Sequence, residues 1–260
     1  MQRWFISVLI SSVVTCAGQS VGNGAGATPS ASERAYTAEF RVTEVKTQPN
    51  GESVIEELTE VRAFDSQGRV MVSATTHPAD DTQLSITQVV VTDRLNRTVT
   101  SWSIPGERIT VMGLIKNLGE LSESCLADRK QKHEVPSKPM PGAFKPKFEN
   151  LGNEVFAGIE ARGSRVTLPT LVEVGSEKQW RPRTQEVWMA TDPELHLIPR
   201  AVWDDPRTGK MTEELIRFDP YEPDPSIFEP LANYEIARQP EDQFSCMMPR
   251  VVPELLGPLP

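Results

Sequence analysis

The feature that most restricts what this chain can fold into is a two-residue alternation that begins at Tyr36 and resumes after each short turn. Tyr36, Ala38, Phe40 and Val42 alternate with Thr37, Glu39, Arg41 and Thr43, which sorts apolar and polar side chains onto opposite faces of an extended strand. A second strand is predicted at 54–64, with Ile55, Thr59, Val61 and Ala63 on one face. A third follows at 69–75 with Val70, Val72 and Ala74 aligned, and two more at 83–92 and 98–104. Pro49-Asn50-Gly51, Asp65-Ser66-Gln67-Gly68 and Asp93-Arg94-Leu95-Asn96-Arg97 supply the turns. Strands joined this closely form an antiparallel meander with one wet face.

The middle breaks this rhythm. Leu114, Leu118, Leu121 and Cys125 fall at helical spacing, Asn117 with Glu120 forms a capping box, and Lys130, Lys132 and His133 suit a helix C-terminus. A helix is therefore predicted at 117–133. Pro136, Pro139, Pro141 and Pro146 then forbid regular structure and describe an extended loop or lid. Strand character returns at Phe148: Val155, Ala157 and Ile159 alternate, Gly163 marks a turn or bulge, and 165–168 continues outward. Further strands are predicted at 185–190, 195–204 and 210–218, the last two joined by the hairpin loop Asp205-Pro206-Arg207-Thr208-Gly209. Asp224 caps a helical turn opened by Pro225, which sets Ile227 and Phe228 against the sheet, and Tyr234-Glu235-Ile236 can pair as a closing strand. The expected fold is mainly β (α+β): a single curved antiparallel sheet or half-barrel with one or two helices on its concave face.

Residues 1–18 read as a secretory signal peptide, with Arg3 as the basic start, an uncharged apolar run from Trp4 and small residues at Cys16, Ala17 and Gly18. That run is shorter than a bilayer core of about 30 Å requires, and no other apolar run of the mature chain reaches spanning length. The protein is expected to be exported, periplasmic or secreted, with cleavage after Ala17 or Gly18. Val13-Val14-Thr15-Cys16 approaches a lipoprotein site, but Thr15 stands where such sites carry Gly, Ala or Ser, so lipidation of Cys16 is the lesser alternative. Residues 19–33 are a flexible linker rich in Gly, Ala, Ser and Thr, 34–237 the β domain, and 238–260 a Pro-rich apolar tail. Cys125 and Cys246 are then the remaining thiols; an oxidising compartment permits a disulfide between them, with two buried free thiols as the alternative. The formal charge is −9, and about −10 once Arg3 is removed, which argues against nucleic acid or an anionic membrane surface as partner.

Chemistry is harder to find. His77, His133 and His196 share no metal-ligand spacing with each other or with a cysteine, so no metal and no cofactor is expected. There is no Gly-x-Ser-x-Gly elbow, no phosphate-binding Gly-rich loop and no His-Glu-x-x-His. Acidic pairs such as Glu56-Glu57, Asp80-Asp81, Asp204-Asp205 and Glu213-Glu214 cannot act as glycosidase pairs by themselves, because strand neighbours point to opposite faces. Asp219, Glu222 and Asp224 crowd one loop but lack the spacing of a calcium loop. Aromatic residues either fill a core or line a ligand cavity; the cavity reading selects Phe40, Trp102, Trp188, Trp203 and Phe218.

The segments Glu60-Val61-Arg62-Ala63-Phe64-Asp65-Ser66-Gln67-Gly68-Arg69, Gly158-Ile159-Glu160-Ala161 and Arg165-Val166-Thr167-Leu168-Pro169 resemble a family of uncharacterised exported bacterial proteins. So do Glu186-Val187-Trp188, Asp205-Pro206-Arg207-Thr208-Gly209 and Glu222-Pro223-Asp224-Pro225-Ser226-Ile227-Phe228, with a departure between Thr170 and Pro182. The layout is also similar to the half-barrel of lipoprotein carriers. These resemblances imply an envelope compartment and a curved sheet, not a residue-level activity. The reading that follows is a non-enzymatic binder or carrier of an apolar, lipid-like small ligand or of an envelope protein partner. A hydrolase of envelope or extracellular polymers acting through dispersed carboxylates, and a surface-mediated structural or interaction protein, are the alternatives.

Overall fold

The computed structural model of the protein describes residues 34–47, 52–78, 84–93, 95–106, 108–113, 145–174, 177–230 and 233–239. They form one open, curved, twelve-stranded sheet. In chain order the strands are β1 (Tyr36–Thr47), β2 (Ser53–Phe64), β3 (Arg69–His77), β4 (Thr87–Asp93), β5 (Thr98–Ile104) and β6 (Arg108–Gly113). After residue 145 come β7 (Lys147–Phe156), β8 (Ile159–Val174), β9 (Glu177–Ala190), β10 (Arg200–Asp205), β11 (Gly209–Asp219) and β12 (Glu235–Gln239). Across the sheet the order is β12-β6-β5-β4-β3-β2-β1-β11-β10-β9-β8-β7.

Two antiparallel meanders, β1–β6 and β7–β11, are thus sewn together where β1 pairs with β11. Phe40 faces Leu215 and Val42 faces Glu213, with a bulge in β11 beside Glu39 and Phe40. The C-terminal meander curls until β7 approaches β11.

The sheet departs from the expected all-antiparallel pattern at one edge. β12 lies parallel to β6, with Ile236 beside Ile109. The reason is the path of 220–234. Glu222 accepts hydrogen bonds from Ser66 in the β2–β3 turn, and the Tyr234 hydroxyl donates to Ser103 O at 3.0 Å near the end of β5. The segment therefore crosses the sheet from one end to the other, and β12 must run in the direction of β6. The expected turn at Asp224 and Pro225 is present as a 3-10 turn, Pro225–Phe228, whose first N–H groups are met by Asp224 accepting from Ser226 N at 2.9 Å.

Local differences follow from turn chemistry. The hairpin between β7 and β8 turns at Ala157 and Gly158, both left-handed (φ 47° and 85°); Gly163 sits inside β8, opposite Gly152, where the β7–β8 register shifts by a bulge between Asn150 and Gly152. Ala157-Gly158 is the two-residue turn whose twist suits a hairpin, with Ala157 where Asn or Asp is usual. β9 begins at Glu177 and runs through Pro182, earlier than the expected 185. Pro169 and Pro182 face each other in register beyond the points where β7 and β10 stop pairing, at Thr167 and Thr184, so neither proline forfeits a bond to an outer neighbour. β10 is shorter than the expected 195–204; residues 191–199 turn back irregularly and bury Leu195 and Leu197. β6 was not anticipated at all.

Two cores result. One gathers Ala38, Phe40, Phe156, Ala161, Trp188, Leu195, Leu197 and Leu215. The other gathers Ala63, Met71, Val89, Val91, Trp102 and Ile109 under Phe228. The predicted helix at 117–133, the Pro-rich run, the signal, the linker, the tail beyond 239, and Cys16, Cys125 and Cys246 lie outside the described residues, and helices on the concave face are not seen among those described.

Candidate functional site

Of the five aromatic residues selected from the sequence, Phe40 and Trp188 are buried in the first core and Phe218 packs against it. Trp102 belongs to the second core. Trp203, half-buried on β10 opposite Met211 and Gln185, joins neither. The structure thus brings together three of the five, around Phe40, which is wholly buried.

Strand pairing places charge directly against this aromatic group. Ala38 lies opposite Arg62, Phe40 opposite Glu60 and Val42 opposite Glu213, so Glu60 and Arg62 from β2 and Glu213 from β11 meet across β1 on one face. Arg62 Nε donates to Glu60 at 2.5 Å, Arg62 Nη2 stands 2.8 Å from Glu213, and the guanidinium carbon lies 4.4 Å from the Phe40 ring centre. All three side chains are nearly sealed from water. Burial pushes the Glu213 carboxyl up to about 7; Glu60 adds to the rise and Arg62 opposes it. Burial also works against the charge of Arg62, but Glu213 and Glu60 more than restore it. Two carboxylates for one cation leave an excess negative charge, which adds to burial in raising the proton affinity of Glu213.

A second charged group borders the same core. Trp188 lies on Gly163, where a Cβ would stand 2.6 Å from its ring, and meets Phe156 edge-on with ring centres 5.5 Å apart. Gly163 is therefore the residue that lets the indole lie down. Arg200, directly opposite Trp188 in register, places its guanidinium carbon 6.0 Å from the Phe156 ring centre. Its Nε is 3.7 Å from Glu214.

A third knot is structural. Asp65, almost wholly buried, accepts from Gln67 N at 3.0 Å, Arg69 N at 2.7 Å and Arg69 Nε at 2.6 Å. Arg69 in turn stacks on Phe228 at 4.5 Å. The β2–β3 turn is thereby tied to the segment that covers the second core.

The acids of the 219–224 loop are committed to local hydrogen bonds. Asp219 accepts from Tyr221 N, Glu222 from Ser66, and Asp224 from Ser226. Among the described residues no group of three His, Cys, Asp or Glu converges to hold a metal ion. His77 Nε2 pairs with the Thr59 hydroxyl at 2.9 Å. Two recesses, of about 240 Å³ beside the Asp205–Gly209 turn and about 170 Å³ beside Thr37 and Arg217, have no aromatic wall. Sequence reasoning missed Glu60, Arg62, Glu213 and Arg200. Their role depends on register between strands far apart in sequence, and a charged residue at a buried strand position looks the same in sequence as one on a wet face.

No family model matches the chain, and no curated protein matches it. Among solved structures the chain is similar to a LolA superfamily protein from Nitrosomonas europaea (10% identity, 76% of this chain and 91% of that one, TM-score 0.31). It is also similar to lipoprotein LppX from Mycobacterium tuberculosis (16% identity, 74% and 88%, TM-score 0.28). A third is a putative outer membrane lipoprotein-sorting protein domain from Vibrio parahaemolyticus (12% identity, 76% and 90%, TM-score 0.31). At these identities and TM-scores the likeness extends to neither residues nor ligands.

Proposed function

We propose that this is an exported, non-enzymatic envelope protein that holds an apolar, lipid-like ligand or an envelope partner against the core built around Phe40, Trp188 and Phe218. One observation carries the reading: three aromatic residues from β1, β9 and β11 converge on one core, with Arg62 over Phe40 and Arg200 over the neighbouring Phe156. An apolar wall with a few placed polar groups is what small-molecule sites offer. No helix among the described residues is long and apolar enough to cross a membrane.

The hydrolase alternative gains one point from the geometry, since Glu60 and Glu213 approach a common centre and Glu213 titrates near neutrality. Against it, Arg62 stands between the two carboxylates and pairs with both, so neither is free to act as an acid or a nucleophile.

Native mass spectrometry of the protein purified from its own cell envelope tests the binding reading. A co-purified lipid-like mass, lost from a Trp188→Ala variant that still folds, is the expected result. Protein that carries nothing and takes up no apolar fluorophore would leave a surface-mediated role in its place. Fractionation should find the mature chain outside the cytoplasm, beginning near residue 18 or 19; an intact N-terminus in the cytoplasm would contradict export.

A further inference from the structure

The sheet order ends on each side in a strand with one neighbour: β12, five residues long, and β7, ten residues long. An open strand edge is a template for another strand, because its outward N–H and C=O groups have no ladder partner. Along β7 this edge stands in solvent: Lys147, Phe148, Asn150, Asn153, Glu154 and Val155 are all exposed. Two of them are large and apolar, Phe148 at 78% exposure and Val155 at 60%.

These two share a face only because of the bulge. Phe148 and Val155 lie an odd number of residues apart, so a regular strand would point them to opposite faces. The register shift between Asn150 and Gly152 undoes this, since their partners on β8, Val166 and Glu160, lie an even number apart. Asn150 and Asn153, opposite Ser164 and Arg162, fall on that face too. The exposed face of β7 therefore reads Phe148, Asn150, Asn153, Val155: apolar, amide, amide, apolar. That order is the same in both directions, and a strand that reads alike in both directions is complementary to its own antiparallel copy.

We propose that β7 is a docking edge for a second copy of this chain, paired antiparallel about a two-fold axis between Leu151 and Gly152. Phe148 then faces Val155 of the second copy and Asn150 faces Asn153 of the second copy, and both pairs recur across the axis. Asn150 Oδ1 accepts from Gly152 N at 2.9 Å, so its amide N–H groups are left to donate to the opposing Asn153 carbonyl. On the other face Glu149 meets Glu154 of the second copy, and cations balance the two carboxylates. Lys147 pairs with Glu149 at 3.0 Å and lies diagonal to the opposing Glu154, while Arg165 stands 3.9 Å from Glu149. β12 offers no such match: it is half as long, and Arg238 follows Ile236 on the same face. The pairing is independent of the ligand reading above.

The test is sedimentation velocity of the full mature chain over a range of concentrations, with substitutions at two exposed positions outside both cores. The parent should form a dimer that dissociates on dilution. Phe148→Lys alone and Val155→Glu alone should each weaken association at least about tenfold, since every dimer then holds two mismatched pairs. Both substitutions in one chain should restore the dimer, because each introduced lysine then faces an introduced glutamate across the axis. Damage to the fold would not be rescued in this way, and urea midpoints equal to the parent's confirm that the variants are folded. A parent that stays monomeric at every concentration, a single variant that associates like the parent, or a double variant that remains monomeric would each overturn the proposal.

Discussion

At the residue scale the informative positions are those where charge is held against the core. Glu213 has a folded-state pKa raised to about 7 from an ordinary 4.5, so between those values the folded protein binds the extra proton. Stability therefore falls as pH rises from about 4.5 to about 7 and levels off above, by up to about 3 kcal/mol from this group. Glu213→Gln should flatten that slope in urea titrations across this range and be more stable than the parent at pH 8; an unchanged slope would show that Glu213 stays ionised beside Arg62. Little of this was legible beforehand. The alternation from Tyr36 to Val42 places Phe40 in the interior, but nothing local to Glu60, Arg62 or Glu213 reveals that they meet across it. Gly163 was readable as a mark of irregular pairing, and the β7–β8 register does shift at its partner Gly152, but nothing local shows that a tryptophan lies on it.

At the element scale the turns decide how strands meet. The β2–β3 turn is held by one buried carboxylate: Asp65 serves two backbone N–H groups and the Arg69 guanidinium, and Arg69 in turn supports Phe228. Asp65→Ala should cost about 2–4 kcal/mol, because it strands these donors and leaves Arg69 without its partner. The urea midpoint should drop and amide exchange should quicken at Gln67 and Arg69 before the rest of the sheet. Replacing the exposed Ser66 by Ala should cost far less, under about 1 kcal/mol. Strands bounded by Asp, Gly and Ser were readable, as at 54–64 and 98–104, because their turns carry residues that tolerate or demand unusual backbone angles. The Ala157-Gly158 turn and the passage of β9 through Pro182 were not, since each uses a residue that the local rules assign elsewhere.

At the scale of the whole molecule, two meanders share one sheet through β1 and β11, and the C-terminal segment adds a second seam where β12 joins β6. A chain cut once by a protease site engineered between residues 113 and 145 should therefore elute as one particle in size-exclusion chromatography and separate only in denaturant. Fragments that part without denaturant would mean that the two seams are too weak to hold the halves. The meander character was visible in the alternation; which meander edge meets which was not, because edge pairing depends on side chains that lie far apart along the chain.

That central seam also sets the order of events for any chain made from its N-terminus onward. Phe40 is among the first core residues to appear, yet its opposite number, Leu215, arrives close to the end. Until then β1 has one open flank and its aromatic residue has no lasting shelter, so the core around Phe40 closes late. The same delay makes any product truncated before β11 a sticky fragment that quality control would have to remove.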